Sequence, residues 1–173
     1  MLFINKKIFS GLGVALMLLA IPVPEQVAAK APKVSGTAEA DPRVVRLQEY
    51  LESKDSPMAN DADTFVEVAD KYKLDWRFLP AIAGMESSFG NRIPEGSYNP
   101  FGWGGSNLFY FDSWEDAIET VGERLYVRVV SKYGTPTPES LGPSYCPPNY
   151  KNWIKGVNFF MEEIGEVNAI QKA

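Results

Sequence analysis

WRFLPAIAGMESSFGNRIPEGSYNPFGWGG, residues 76–105, is the stretch on which the reading of the chain turns. Its first half has a helical pattern, with Leu79, Ile82 and Ala83 on one face. The next position on that face is Glu86, so a carboxylate is expected against the core or a cleft wall. Burying such a group unpaired is costly, so it takes a partner or holds its proton to higher pH. Beyond Glu86 the pattern stops. Gly90, Pro94, Gly96, Pro100, Gly102, Gly104 and Gly105 break any further helix, and Phe89, Tyr98, Phe101 and Trp103 are interleaved among them.

Upstream, Asp75 is placed to cap the Glu86 helix. Pro80 removes a backbone donor in its early turns, which predicts a kink there or a regular helix only beyond it. Asp41-Pro42 is a helix start, a cap followed by proline at the first position. Val44, Leu47 and Leu51 form the stripe of a helix ending near Lys54 and closed by Asp55-Ser56-Pro57. A second helix is expected from about Asp63 to Lys73, with Phe65, Val68, Ala69 and Tyr72 buried and Asp61 or Asp63 as cap.

Downstream, residues 89–112 read as a long irregular lobe in which Asn107–Phe111 makes a short strand or part of a small hairpin. Ser113 with Asp116 resembles a capping box, and Trp114, Ala117, Ile118, Val121 and Leu125 predict an amphipathic helix to about Ser131. Thr137-Pro138-Glu139 starts a short turn expected to end at Gly142. Asn149 caps a last helix with the stripe Tyr150, Trp153, Ile154, Val157, Met161 and Ile164. The expected domain is mainly α and spans 41–168, with one irregular or β-hairpin lobe after the Glu86 helix and a tail over 169–173.

The N-terminus carries its own signal. Lys6 and Lys7 precede an apolar run from Ile8 to Ile21, Pro22 and Pro24 end it, and Val27-Ala28-Ala29 offers small residues for cleavage. Residues 1–29 read as a secretory signal peptide. The run is short for a membrane span, and the alternative is a retained N-terminal anchor. Either reading sends the chain out of the cytoplasm, secreted or in the cell envelope, with membrane contact only through an uncleaved N-terminal segment. Residues 30–40 are small, polar and without periodicity, as in a linker.

Composition removes whole classes of chemistry. The 173 residues, 45% hydrophobic, suffice for one domain with a core. A net charge of −5 and a pI of about 4.9 argue against nucleic acid as the main partner. The absence of histidine removes Ser-His-Asp and Cys-His catalysis and His-ligated metals. The single Cys146 allows neither an intrachain disulfide nor a CxxC site. What remains is acid–base chemistry by carboxylate, Tyr or Lys, with no cofactor and no metal, in a chain expected to be a monomer.

These features carry a family resemblance. LPAIAGMESSFG, residues 79–90, resembles the Glu-Ser segment of bacterial peptidoglycan hydrolases with the lysozyme-like fold. YNPFGWGG, residues 98–105, resembles the Asn-x-Phe-Gly block of the endo-β-N-acetylglucosaminidase type. FDSWEDAIETVGERL, residues 111–125, resembles the helix after that block, and Ser144–Val157 resembles the closing Tyr-containing loop and helix of lytic transglycosylases. The resemblance implies a lysozyme-like helical domain acting on β-1,4 bonds of peptidoglycan or a related N-acetylhexosamine polymer. It also implies Glu86 as general acid and Tyr145 as an active-site tyrosine.

Glycoside cleavage needs a group still protonated near neutral pH to protonate the leaving oxygen. Glu86 at an apolar helix end suits that task. It can equally be a structural carboxylate, capping a backbone group or paired with Arg92. A second carboxylate would come from Glu95, Asp112 or Glu115, whose other readings are solvation or capping. One acid suffices if the substrate's own N-acetyl group or 6-hydroxyl displaces the bond. Ser87 would position the acid or a substrate amide, or else bond its own backbone. Asn99 would hold a sugar N-acetyl group, or the turn before Pro100. Tyr98, Phe101 and Trp103 stack on sugar faces or pack in the core. The phenol of Tyr145 reaches Glu86 or the sugar, or lies packed elsewhere. Three function classes follow: a peptidoglycan hydrolase or lytic transglycosylase, a glycan-binding module of the same fold without catalysis, and an inert envelope scaffold.

Overall fold

The structure, a computed structural model, describes residues 40–170. The expected signal peptide, residues 1–29, all but residue 40 of the expected linker, and residues 171–173 lie outside the described residues. The described residues are mainly helical.

α1 spans Pro42–Ser53 and begins as its sequence dictates: the Asp41 carboxylate accepts the Arg43 amide, and Pro42 sits where no donor is needed. A 3₁₀ turn, Ala59–Asp61, leads into α2, Ala62–Tyr72. Asp61 stands at the cap position without making the cap bond, and the Asp63 side chain instead accepts the Thr64 amide. Lys73 closes α2 in the left-handed conformation, with the Leu74 amide reaching back to Ala69.

α3 spans Phe78–Ser87. It starts three residues beyond Asp75, whose carboxylate accepts the Arg77 amide and clasps the Arg77 guanidinium. Pro80 therefore falls in the first turn, where its missing amide leaves no bond unmade, and the expected kink has no cause. Phe78 to Gly84 are all buried, so α3 is not striped but apolar all round, the central helix of the core. Each such Leu or Ile contributes about 1.5–3 kcal/mol of burial.

α4 covers Trp114–Leu125 and continues through a π-turn, Tyr126–Val130, into a last turn α5, Ser131–Tyr133. Ser113 caps α4 by accepting the Asp116 amide, but the Asp116 carboxylate accepts from the Asp112 amide, so only half of the capping box forms. α6, Pro138–Tyr145, opens with a complete Thr137–Ser140 capping box. It runs past Gly142 because Leu141 and Gly142 are buried against α7, Tyr150–Ile170. That packing offsets the one bond Pro143 removes.

α3 packs along α7, which also takes α1 and α6, while α2 packs on α4. α3 and α7 approach closely through glycine: a Cβ on Gly84 would stand 3.0 Å from the Phe160 ring of α7.

No strand forms among the described residues, and Asn107–Phe111 is irregular. Two isolated backbone bonds, Phe109 to Trp103 and Phe111 to Ser97, stand where a hairpin ladder was expected. The reason is local. The Asn99 side chain occupies the carbonyls of Trp103 and Phe109, each at 2.8 Å, and its own oxygen accepts the Trp103 amide at 2.9 Å. One buried amide thus satisfies backbone groups that a second strand would otherwise pair.

Candidate active site

The site is built where α3 stops. Ser88 and Phe89 both adopt left-handed backbone, at φ +52 and +59. Neither is glycine, so each costs on the order of 1 kcal/mol or more. The turn is held by the Phe89 amide, which bonds Ala83, and by the Phe89 ring, edge-on to Tyr50 at 5.5 Å and to Phe160 at 5.0 Å. The chain reverses there and brings residues 97–105 back over the helix end.

Ser87 is buried, and its hydroxyl joins the two segments. It lies 2.9 Å from the Pro100 carbonyl and 3.0 Å from that of Ala83, and it accepts the Gly90 amide at 2.9 Å. Asn99, also buried, pins the loop through the three bonds given above. The structure gives both residues backbone partners and buries them, and neither lines the cleft of about 760 Å³ that opens beside Gly102. Phe101 is fully buried and anchors the loop to the core, so it is no sugar platform. Its carbonyl accepts the Tyr145 hydroxyl at 2.7 Å.

Glu86 lies at the junction. Its sequence face is the buried one, yet the residue as a whole is exposed. The carboxyl head is nevertheless crowded. The Trp153 indole donates to Oε1 at 2.7 Å, from α7. On the other side Gly102 comes so close that a Cβ there would sit 3.1 Å from Oε2. Desolvation raises the Glu86 pKa above the ordinary glutamate value, and the Trp153 hydrogen bond opposes that rise. Arg92 is not its partner; no ion pair holds Glu86 among the described residues.

Tyr145 stacks on Trp153, ring centroids 5.0 Å apart and 29° between planes. It therefore does lie beside the Glu86 unit, but its hydroxyl donates to the loop carbonyl and not to the acid. Burial and then the Glu86 charge raise its pKa, so it remains a neutral phenol.

Gly102 and Tyr145 both border a cleft of about 760 Å³. The loop contributes Gly102–Gly105, the end of α4 and the π-turn contribute Leu125, Arg128 and Val129, and α6 contributes Leu141, Ser144 and Tyr145. Trp103 lines it, with the Arg128 guanidinium 6.0 Å from the ring centroid. Tyr98 is exposed and packs edge-on against Trp114 at 5.1 Å; it does not line the cleft. Glu95 sits on the exposed Pro94–Gly96 turn, Asp112 is exposed at the entry to α4, and Glu115 is in the first turn of α4. None of the three lines the cleft. Among the described residues, no group of three or more acidic or cysteine side chains is placed to hold a metal ion.

Two features, Trp153 beside Glu86 and Arg128 in the cleft, do not follow from the sequence pattern. Trp153 was assigned to the apolar stripe of the last helix alone, although its polar indole N–H needs a partner when buried. Arg128 was assigned no role, although it follows Leu125 by three and so shares a helix face with it. No protein-family model, curated protein or solved structure matches the chain.

Proposed function

We propose that the chain is an exported glycosidase of lysozyme-like fold that cuts β-1,4 bonds in peptidoglycan or a related N-acetylhexosamine polymer. The observation that carries this reading is Glu86. It is a carboxyl with a raised pKa, crowded by Trp153 on one side and on the other by Gly102, which itself lines the cleft. Its proton passes to the glycosidic oxygen as the bond from the anomeric carbon breaks. Among the described residues, no carboxylate lines the cleft, so no second acid stands there to assist Glu86, which favours attack from within the substrate. The neighbouring N-acetyl oxygen bonds to the anomeric carbon. Ionised Glu86 then takes a proton from the water that displaces it. That is the endo-β-N-acetylglucosaminidase route. The same single acid also serves a lytic transglycosylase, in which the sugar's own 6-hydroxyl attacks and a 1,6-anhydro end forms.

Glu86→Gln keeps the size of the side chain and an acceptor for Trp153 but cannot give up a proton. The expected result is a rate loss of at least about a hundredfold. Stability at neutral pH should be equal or higher. A folded-state pKa raised for an acid means the ionised form is disfavoured in the fold. That penalty is present above the folded pKa and vanishes below the unfolded one. The assay is digestion of purified peptidoglycan, mass spectrometry of the fragment ends, and thermal unfolding of both proteins. A folded Glu86→Gln protein cutting within a few-fold of wild type refutes the catalytic assignment. Wall binding by the wild type without any new ends would make the chain a glycan-binding module.

A further inference from the structure

The cleft has one cation and no acid among the residues that line it. That cation, Arg128, projects from the π-turn, an irregularity that recurs at functional sites. It lies against the Trp103 ring, and no hydrogen bond or ion pair holds it among the described residues. From 124 to 138 the chain has no Asp or Glu that could neutralise it. A guanidinium resting on an aromatic face keeps its edge donors free and arranged for a bidentate anion. Ser140 and Ser144 border the same cleft, with their hydroxyls bonded to backbone groups of α6 and its cap.

We propose that Arg128 recognises a carboxylate on the bound strand, so that the cleft selects an acidic amino-sugar polymer over a neutral one. This rests on the reading that the cleft takes a glycan strand. Neutral poly-N-acetylglucosamine offers Arg128 nothing to pair with. A peptidoglycan strand carries carboxylates of two origins: the lactyl ether acid where peptides are absent, and the stem-peptide acids where they are present. Arg128 is a specificity residue, and the proton chemistry stays at Glu86.

The test measures binding in a Glu86→Gln background, where nothing is cut, by calorimetry against three hexasaccharides. One is neutral N-acetylglucosamine hexamer, one is peptide-free peptidoglycan glycan, and one carries stem peptides. The readout is the ratio of acidic to neutral affinity. At low salt that ratio should be about tenfold, the scale of a charged hydrogen-bonded pair at a partly open site, and it should fall with added salt. Arg128→Gln should bring it to within about twofold of unity, and Arg128→Lys should fall between. Arg124→Gln removes the same charge from a neighbouring exposed position outside the cleft and should leave the ratio alone. A preference for the peptide-free glycan identifies the lactyl acid as the ligand, and one confined to the third probe identifies the stem peptide. Equal ratios in wild-type and Arg128→Gln backgrounds, no preference at all, or no binding to any probe overturns the proposal. Turnover by the otherwise wild-type chain is a separate measurement. Arg128-dependent preference without cleavage would sink the glycosidase reading and leave this one standing; cleavage without the preference does the reverse.

Discussion

Gly102 and Gly96 form a matched pair that separates backbone strain from damage to the site. Gly102 has φ +62 and Gly96 has φ +68, both in the left-handed region. Alanine in that region costs about 1–2 kcal/mol wherever it is placed. In a domain of this size that is a fall of about 3–8 °C in Tm. The two positions differ in what a Cβ meets. At Gly96 there is nothing within 4 Å, whereas at Gly102 the Glu86 Oε2 is 3.1 Å away. The carboxyl must yield by a few tenths of an ångström, and its other oxygen is tied to Trp153 at 2.7 Å, so the movement strains that bond. A misplacement of about 1 Å costs on the order of a hundredfold in rate, so a few tenths should cost roughly three- to tenfold. The expected pattern is therefore an equal loss of Tm in Gly102→Ala and Gly96→Ala, with a rate loss in the first alone. Scanning calorimetry and the initial rate of new reducing ends from wall polymer read the two quantities. Full activity in Gly102→Ala, or an equal rate loss in Gly96→Ala, refutes the proposal that the carboxyl crowded by Gly102 is the one that reacts.

Trp153→Phe removes the donor that favours ionised Glu86, so the acid holds its proton to higher pH and the alkaline limb of the rate profile should move up. A limb that stays or moves down, in a protein that remains folded, contradicts the role of the indole. Ser87→Ala leaves the Gly90 amide without its acceptor and removes the donor shared by the Pro100 and Ala83 carbonyls; the expected loss is about 1–3 kcal/mol in denaturant unfolding. Unchanged stability with raised KM would instead place that hydroxyl in contact with substrate.

Much of this fold was legible because it follows from local rules. Leu47 and Leu51, or Val121 and Leu125, repeat at helical spacing, and the Asp41-Pro42 start acts within a few residues of itself. The break after Glu86 was equally plain, since glycine and proline act through their own backbone. What periodicity could not supply was the form of the loop. Asn107–Phe111 has a strand's composition, but a strand needs a partner, and the side chain of Asn99 had already taken the carbonyls concerned. The same limit hid Trp153 from the site, because its partner lies 67 residues away. A stripe position says that a side chain is buried and says nothing about what its polar atom meets. Glu86 illustrates the converse: it shares a face with buried residues and is itself exposed.

α7 makes two distant connections at once. Near its far end it is clasped by α1, where Arg46 donates to the Gly165 carbonyl at 2.6 Å and Tyr50 to Glu163 at 2.8 Å. Near its start it presents Trp153 to Glu86. It is also the last of the described helices to be synthesised. At about 5–20 residues per second, it trails Glu86 by roughly several seconds. Throughout that interval the nascent chain holds its acid without the indole donor and without the aromatic wall behind it. The Glu86 carboxyl gains the Trp153 donor only once α7 has been made and has docked on α3, the helix that bears the acid.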